Sequence, residues 1–407
     1  MVVVSSVRRD GCPAAPAAPD GPPTAASPPH SPIATLGHLL QPDRMRVSHL
    51  TFSLAVAALT LLISSCSSCE KAPSTAQPAP PPAPVAEPSK PVLDEAQKKM
   101  FQALPENFGT ATEARVTLGR TLFHDARLSA SQDISCNSCH TLANYGVDGQ
   151  PTSTGFKGHK GGRNSPTVFN AAGHASQFWD GRSPHVEDQA KGPVLNPGEM
   201  AIKDDKAAVD ILRSIPGYLP LFTAAFPEEK VAITWETYAR AVGAFERQLV
   251  TPSRFDAWAK GDDQALTEDE QKGALLFMQT GCMGCHNGPL VGGTGFQKVG
   301  AVKAWPNQND HGRQDLTKAL ADDMMFKVPS LRNVDKTAPY FHDGQTATLP
   351  EAVKMMARHQ LGRELSDVDA ASIVTFLKTL TGELPQALIA APELPPSGPR
   401  TPKAIKG

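Results

Sequence analysis

Apolar positions recur at helical spacing in two pairs of segments. In Gly119-Arg120-Thr121-Leu122-Phe123 and Gly273-Ala274-Leu275-Leu276-Phe277, Leu and Phe stand three and four positions after a glycine, on one helix face. The glycine predicts a place where another helix or a bound group comes close. A second amphipathic segment closes each unit. Tyr238, Val242, Phe245 and Leu249 run up to Thr251-Pro252, and Ile373, Val374, Phe376, Leu377 and Leu380 follow the start signal Ser366-Asp-Val-Asp369. Thr267-Glu-Asp-Glu270 reads as a capping box. The stretches between are long, rich in Gly, Pro and Asn, and show no strand alternation. The pattern predicts two helical units in tandem, over 93–251 and 252–383.

The remaining apolar run, Leu50 to Ile63, follows Met45-Arg46 and ends at Ser64-Ser65-Cys66. A basic start, a short apolar stretch and small residues after it read as an export signal over 45–66. The run falls short of the about 20 residues that span a bilayer. Ile63-Ser-Ser-Cys66 resembles a lipobox, which would make Cys66 the site of a lipid anchor. Residues 1–44 read as a non-native or disordered extension. Proline is concentrated at the ends, with 17 of 38 in residues 1–92 and 6 in 385–407. Residues 67–92 are therefore expected to be an extended linker, and 384–407 a disordered Pro-rich tail.

Charge narrows the class. The 407 residues carry 39 Lys+Arg against 41 Asp+Glu, a formal charge of −2, which argues against a partner bound through nucleic-acid phosphates.

The cysteines carry the chemistry. Cys136-Asn-Ser-Cys139-His140 and Cys282-Met-Gly-Cys285-His286 are each a C-x-x-C-H, the attachment signature of a c-type haem. Two thiols three positions apart can add to the two vinyl groups, and the adjacent histidine becomes the proximal iron ligand. A thioredoxin-like pair would want a βαβ context, and a zinc site four ligands close together; neither is visible. Cys12, Cys66 and Cys69 lie outside these motifs. A helix, a haem motif, a long loop and a closing helix form the small cytochrome c plan. The expected fold is mainly α, with two cytochrome c-like haem domains in tandem. The two covalent haems supply apolar volume that the few aromatics do not.

Longer motifs then resemble the bacterial dihaem cytochrome c peroxidases over about residues 96–383. They include Leu118-Gly-Arg-Thr-Leu-Phe-His-Asp-Ala-Arg-Leu-Ser129, Asn144-Tyr-Gly-Val-Asp-Gly149 and Arg163-Asn-Ser-Pro-Thr-Val-Phe-Asn170. Further matches are Gln177-Phe-Trp-Asp-Gly-Arg182, Glu187-Asp-Gln-Ala-Lys-Gly-Pro193, Asn196-Pro-Gly-Glu-Met200, Val328-Pro-Ser-Leu-Arg-Asn333 and Thr337-Ala-Pro-Tyr-Phe-His-Asp-Gly344. The resemblance implies reduction of hydrogen peroxide at the N-terminal haem. Electrons from a small periplasmic cytochrome c or copper protein would come in at a C-terminal His/Met haem. It puts the methionine ligand at Met356, although methionines on a helix are more often core filler. It puts Glu199 and Gln189 in the distal pocket and Trp179 between the haems. It implies a calcium ion at Asn164, Thr337 and Pro339, and is compatible with a homodimer. Arg163, Arg182 and Arg332 are then candidates for partners of haem propionates, or for structural ion pairs.

One departure stands out. Many members carry a distal histidine soon after the first haem motif, and here Phe156 falls at that position. Phenylalanine cannot bind iron, so either His159, three residues on, substitutes, or the iron is open from the start; His174 is a more remote choice. Two other functions compete. Relatives that oxidise protein tryptophan carry tyrosine where Met356 stands. A pure dihaem electron carrier would leave Glu199, Gln189 and Gln177–Arg182 without a role.

Overall fold

The computed structural model describes residues 92–405. The signal segment, the lipobox Cys66, residues 1–44 and the linker up to residue 91 lie outside the described residues. Eight helices of eight residues or more are present among them. They are α1 Glu113–His124, α2 Val186–Leu195, α3 Asp205–Ser214, α4 Tyr218–Ala225, α5 Trp235–Glu246, α6 Glu268–Thr280, α7 Leu349–Leu361 and α8 Asp367–Lys378. The expected caps form. Thr112 caps α1, Thr267 and Glu270 make a reciprocal capping box on α6, and Ser366 caps α8.

The two glycines of the repeat each admit another helix. A Cβ on Gly119 would lie 2.0 Å from the Ala241 carbonyl of α5, and one on Gly273 2.2 Å from the Ser372 carbonyl of α8. Each opening helix thus lies directly against the closing helix of its own unit, and their apolar faces make the two cores. Leu118, Leu122, Phe123, Val242 and Phe245 belong to the first core; Ala274, Phe277, Ile373, Phe376 and Leu377 belong to the second.

Beside the helices, β1 Phe296–Lys298 pairs antiparallel with β2 Met325–Lys327, Phe296 opposite Lys327. Two expectations need correction. Residues 384–405 are not a disordered tail. Leu384, Leu388 and Ile389 pack on the first core, the Arg127 guanidinium donates to the Pro395 carbonyl (2.8 Å), and the Ile405 N–H donates to the Ala130 carbonyl (2.8 Å). Carbonyls facing donors, and a few apolar anchors, hold a proline-rich strand that needs no regular hydrogen bonding of its own.

The domain limits are crossed at the other end as well. Leu93 and Phe101 lie in the second core rather than the first, with the Phe101 ring 5.3 Å from Trp258 and 5.6 Å from Phe376. The Leu104 N–H donates to Asp256 (2.7 Å) and Arg332 to the Gln102 carbonyl (3.2 Å). Each end of the described chain therefore fastens to the unit farther away in sequence.

Candidate active site

The first C-x-x-C-H forms a single helical turn, Cys136–Cys139, and the His140 N–H closes on the Cys136 carbonyl at 2.9 Å. Cys136, Cys139 and His140 face a cavity of about 460 Å³. The four motif cysteines are unpaired. Burial pushes the Cys136 thiol up to about 12 and lowers the His140 imidazole, so both are neutral. His140 Nδ1 is buried without a hydrogen-bond partner. Two separate thiols, a neutral buried imidazole and an apolar-floored cavity fit a haem joined by two thioethers and one histidine.

Gln189, on α2, and Glu199, in the loop after it, face the same cavity. Asn196 positions Glu199: its side-chain amide donates to Glu199 Oε1 at 2.7 Å, while its own Oδ1 accepts from the Gly198 N–H at 2.9 Å. Burial raises the Glu199 pKa, against the opposing pull of Arg182 and the Asn196 hydrogen bond. The loop is pinned from behind, since the Ala130 N–H donates to the Met200 carbonyl at 2.7 Å.

His159, one of the alternatives for a distal ligand, does not line this cavity. It is exposed, with its ring over Gly198. The cause is a tight turn: the Gly155 N–H donates to the His159 carbonyl (2.7 Å), and Phe156 N–H to the Glu199 carbonyl (2.8 Å). Neither Phe156 nor His159 lines the cavity; His174 does.

Trp179 lines the cavity where the two units meet. Its indole N–H donates to the Asn164 carbonyl (2.9 Å), and its carbonyl accepts from the Lys327 N–H of β2 (2.7 Å). Arg163 and Arg182 are at the cavity but already engaged. Arg163 grips Asp310 through two bonds of 2.7 Å and Asp180 through one of 2.8 Å, and Arg182 reaches Asp180 at 3.0 Å. Arg332 is fully buried and spent on Asp256 and the carbonyls of Pro289 and Gln102, a structural role.

In the second unit, Cys282–Gly284 is a 3-10 turn, and His286 Nδ1 lies 3.3 Å from the Val291 carbonyl, with burial lowering its pKa to about 4. On α7 the Met355 sulfur accepts from the Thr346 hydroxyl at 3.2 Å. Met356 is half-buried and has no hydrogen-bond partner among the described residues. Asn164, Thr337 and Pro339 lie in loops held by backbone contacts. Asn164 N–H donates to the His342 carbonyl (2.8 Å), its side-chain amide donates to the Gln150 carbonyl (2.9 Å), and a cis peptide joins Ala338 to Pro339 beside Thr337.

The sequence comparisons agree with this geometry. The profile described as di-haem cytochrome c peroxidase matches residues 113–264, and that of cytochrome c matches 270–381. Cytochrome c551 peroxidase of Nitrosomonas europaea is 46% identical over 302 residues, 74% of this chain and 87% of that protein. The chain belongs to the dihaem cytochrome c peroxidase family. Cytochrome c551 peroxidase of Pseudomonas aeruginosa is 42% identical over 76% of this chain and 92% of its own length. A crystal structure of a MauG-like protein associated with microbial copper homeostasis superposes with a TM-score of 0.61 at 31% identity, covering 72% of this chain and 95% of that one. As a member of the family, the chain is an oxidoreductase acting on peroxide and takes two haem c groups.

Two residues of this peroxidase site escape a reading of the sequence. Glu246, on α5, is 4% exposed, lines the cavity, and makes no side-chain hydrogen bond among the described residues; burial pushes it up to about 8. Its position four after Val242, on the apolar face of the closing helix, was the available signal. Lys327 reaches the same cavity from the second unit, and nothing local in Met325-Phe-Lys327 marks it.

Proposed function

We propose that this chain reduces hydrogen peroxide to two waters with two electrons and two protons, at the cavity bounded by His140, Glu199 and Gln189. The observation that carries the reading is that Glu199, held by Asn196 and raised by burial, faces the cavity that holds the Cys136/Cys139/His140 motif. Cys136, Cys139 and His140 would hold a haem, which would supply redox-active iron to the cavity. Glu199 takes the proton from the near peroxide oxygen and returns it to the far one as that oxygen leaves, a task suited to a carboxyl whose pKa sits above the ordinary range. Gln189 donates or accepts a hydrogen bond to hold peroxide for that transfer.

Electrons come from a small periplasmic cytochrome c or copper protein. Cys282, Cys285, His286 and Met356 would hold the second haem, which would supply the site where electrons are received. With the Met355 sulfur engaged by Thr346, Met356 is the neighbour left to serve. A thioether ligand raises the potential and suits this haem to receive electrons. Trp179, bonded to both units, lies on the route to the first cavity. Calcium at the Asn164 side chain and the Thr337 and Pro339 carbonyls would hold the two units in register, oxygen ligands being what that ion prefers. The export signal and Cys66 support a periplasmic enzyme tethered by lipid.

His159, exposed in its turn, favours an iron that is open without prior reduction. Stopped-flow mixing of peroxide with the fully oxidised and the half-reduced protein tests this. Immediate reaction of the oxidised form is expected. Reaction only after half-reduction would restore a gating ligand, and no reaction in either state would overturn the peroxidase reading.

A further inference from the structure

Lys327, with Asp315, reaches the first unit's cavity from the second unit. It is 6% exposed, and its ammonium donates to the Ser176 carbonyl at 2.9 Å and lies 2.9 Å from His174 Nδ1. No carboxylate lies within 4.0 Å of it among the described residues. The nearby Asp180 is taken by Arg163 and Arg182. The other ring nitrogen of His174, Nε2, is buried without a partner. A buried ammonium compensated only by neutral groups is costly, and one N–H of Lys327 is left over. The remedy is an anion in the cavity that both side chains line.

We propose that Lys327, steadied by His174, binds a propionate carboxylate of the haem attached to Cys136 and Cys139, so that the first haem is seated in part by the second unit. The inference rests on the reading of this cavity as a haem site. Arg163 and Arg182 already answer Asp180 and Asp310, so Lys327 is the cavity's cation with a charge to spare. The lysine is anchored through its backbone as well: its N–H donates to the Trp179 carbonyl, and β1 pairs with it from the other side. A carboxylate here would therefore tie haem, Trp179 and the second unit into one hydrogen-bonded junction. Removing the cation leaves the propionate charge less compensated, which favours ferric over ferrous iron.

The test is potentiometry and resonance Raman spectroscopy of the holoprotein, which need no peroxide and so stand apart from the peroxidase assay. K327M is expected to retain two covalent haems per chain by pyridine haemochrome. The midpoint potential of the first haem should fall, and its propionate bending band should shift towards that of a free carboxylate. K327R should restore both. H174L keeps the cation but loosens its aim, so it should move both readouts the same way by less, and it serves if K327M does not mature. An unchanged potential and propionate band in K327M, or in H174L should K327M fail to mature, would overturn the proposal.

Discussion

Asn170 and Asn333 donate to the same hydroxyl. Each side-chain amide lies 2.8 Å from Thr251 Oγ1, and all three residues are completely buried. Both asparagines have a left-handed backbone, with φ of 61° and 62°. Each ends a matching segment of its own unit, Arg163–Asn170 and Val328–Asn333. Their Oδ1 atoms accept from the Thr251 N–H (3.1 Å) and the Gly382 N–H (3.0 Å). Thr251 is thus one point of the seam between the units, bonded from both sides. T251V keeps the shape and orphans two buried donors, so it should cost about 2–4 kcal/mol. T251S should cost far less. A chemical-denaturation midpoint for T251V close to that of the wild type would show that the seam is not held this way.

Glu246 makes stability depend on pH with an unusual sign. The unfolded carboxyl loses its proton around 4.5, whereas the folded one keeps it to about 8. Its contribution is therefore complete below 4.5 and is lost as pH rises towards 8, at roughly 1.4 kcal/mol per pH unit. Between pH 5 and 8 the wild type should lose on the order of 4 kcal/mol relative to E246Q. Denaturant titrations of both proteins at the two pH values check this. Parallel pH profiles would mean that Glu246 ionises normally.

Glu199 should govern the acid limb of peroxide turnover. The working base is the carboxylate, and burial raises its pKa. Turnover should therefore climb as pH rises through that pKa and level off above it. E199Q should reduce turnover by roughly 10²–10⁴-fold and abolish the limb. Steady-state rates across the pH range, with haem content measured in parallel, would reveal a retained limb if another group is the base.

The terminal strand braces the distal loop. Ile405 bonds to the Ala130 carbonyl, and the Ala130 N–H bonds to the Met200 carbonyl next to Glu199. Deleting 384–407 should leave both haems attached and speed amide hydrogen exchange around 126–132 and 196–202 by roughly 10-fold or more, equivalent to about 1.4 kcal/mol of local stability. Unchanged exchange there would make the strand a passive appendage.

What the sequence by itself determined is what depends on neighbours in the chain. A C-x-x-C-H works within one helical turn, so both motifs could be read directly. A capping box spans four residues, and a glycine followed by Leu and Phe marks one helix face, so α6, α8 and the close approaches at Gly119 and Gly273 were equally legible. Only the tertiary structure decided which distant groups share a cavity. Glu246 turns inward because α5 presents its apolar face to α1. Lys327 arrives from another unit through a strand pairing that no alternation announced. His159 is carried outward by a tight turn whose hydrogen bonds reach Glu199. The ends of the described chain pass their local unit and anchor on the other, because Phe101 finds Trp258 and Pro395 finds Arg127 only once both units have folded. Covalent and helical chemistry is written at short range, whereas burial, charge pairing and exclusion from a cavity depend on residues tens to hundreds of positions apart.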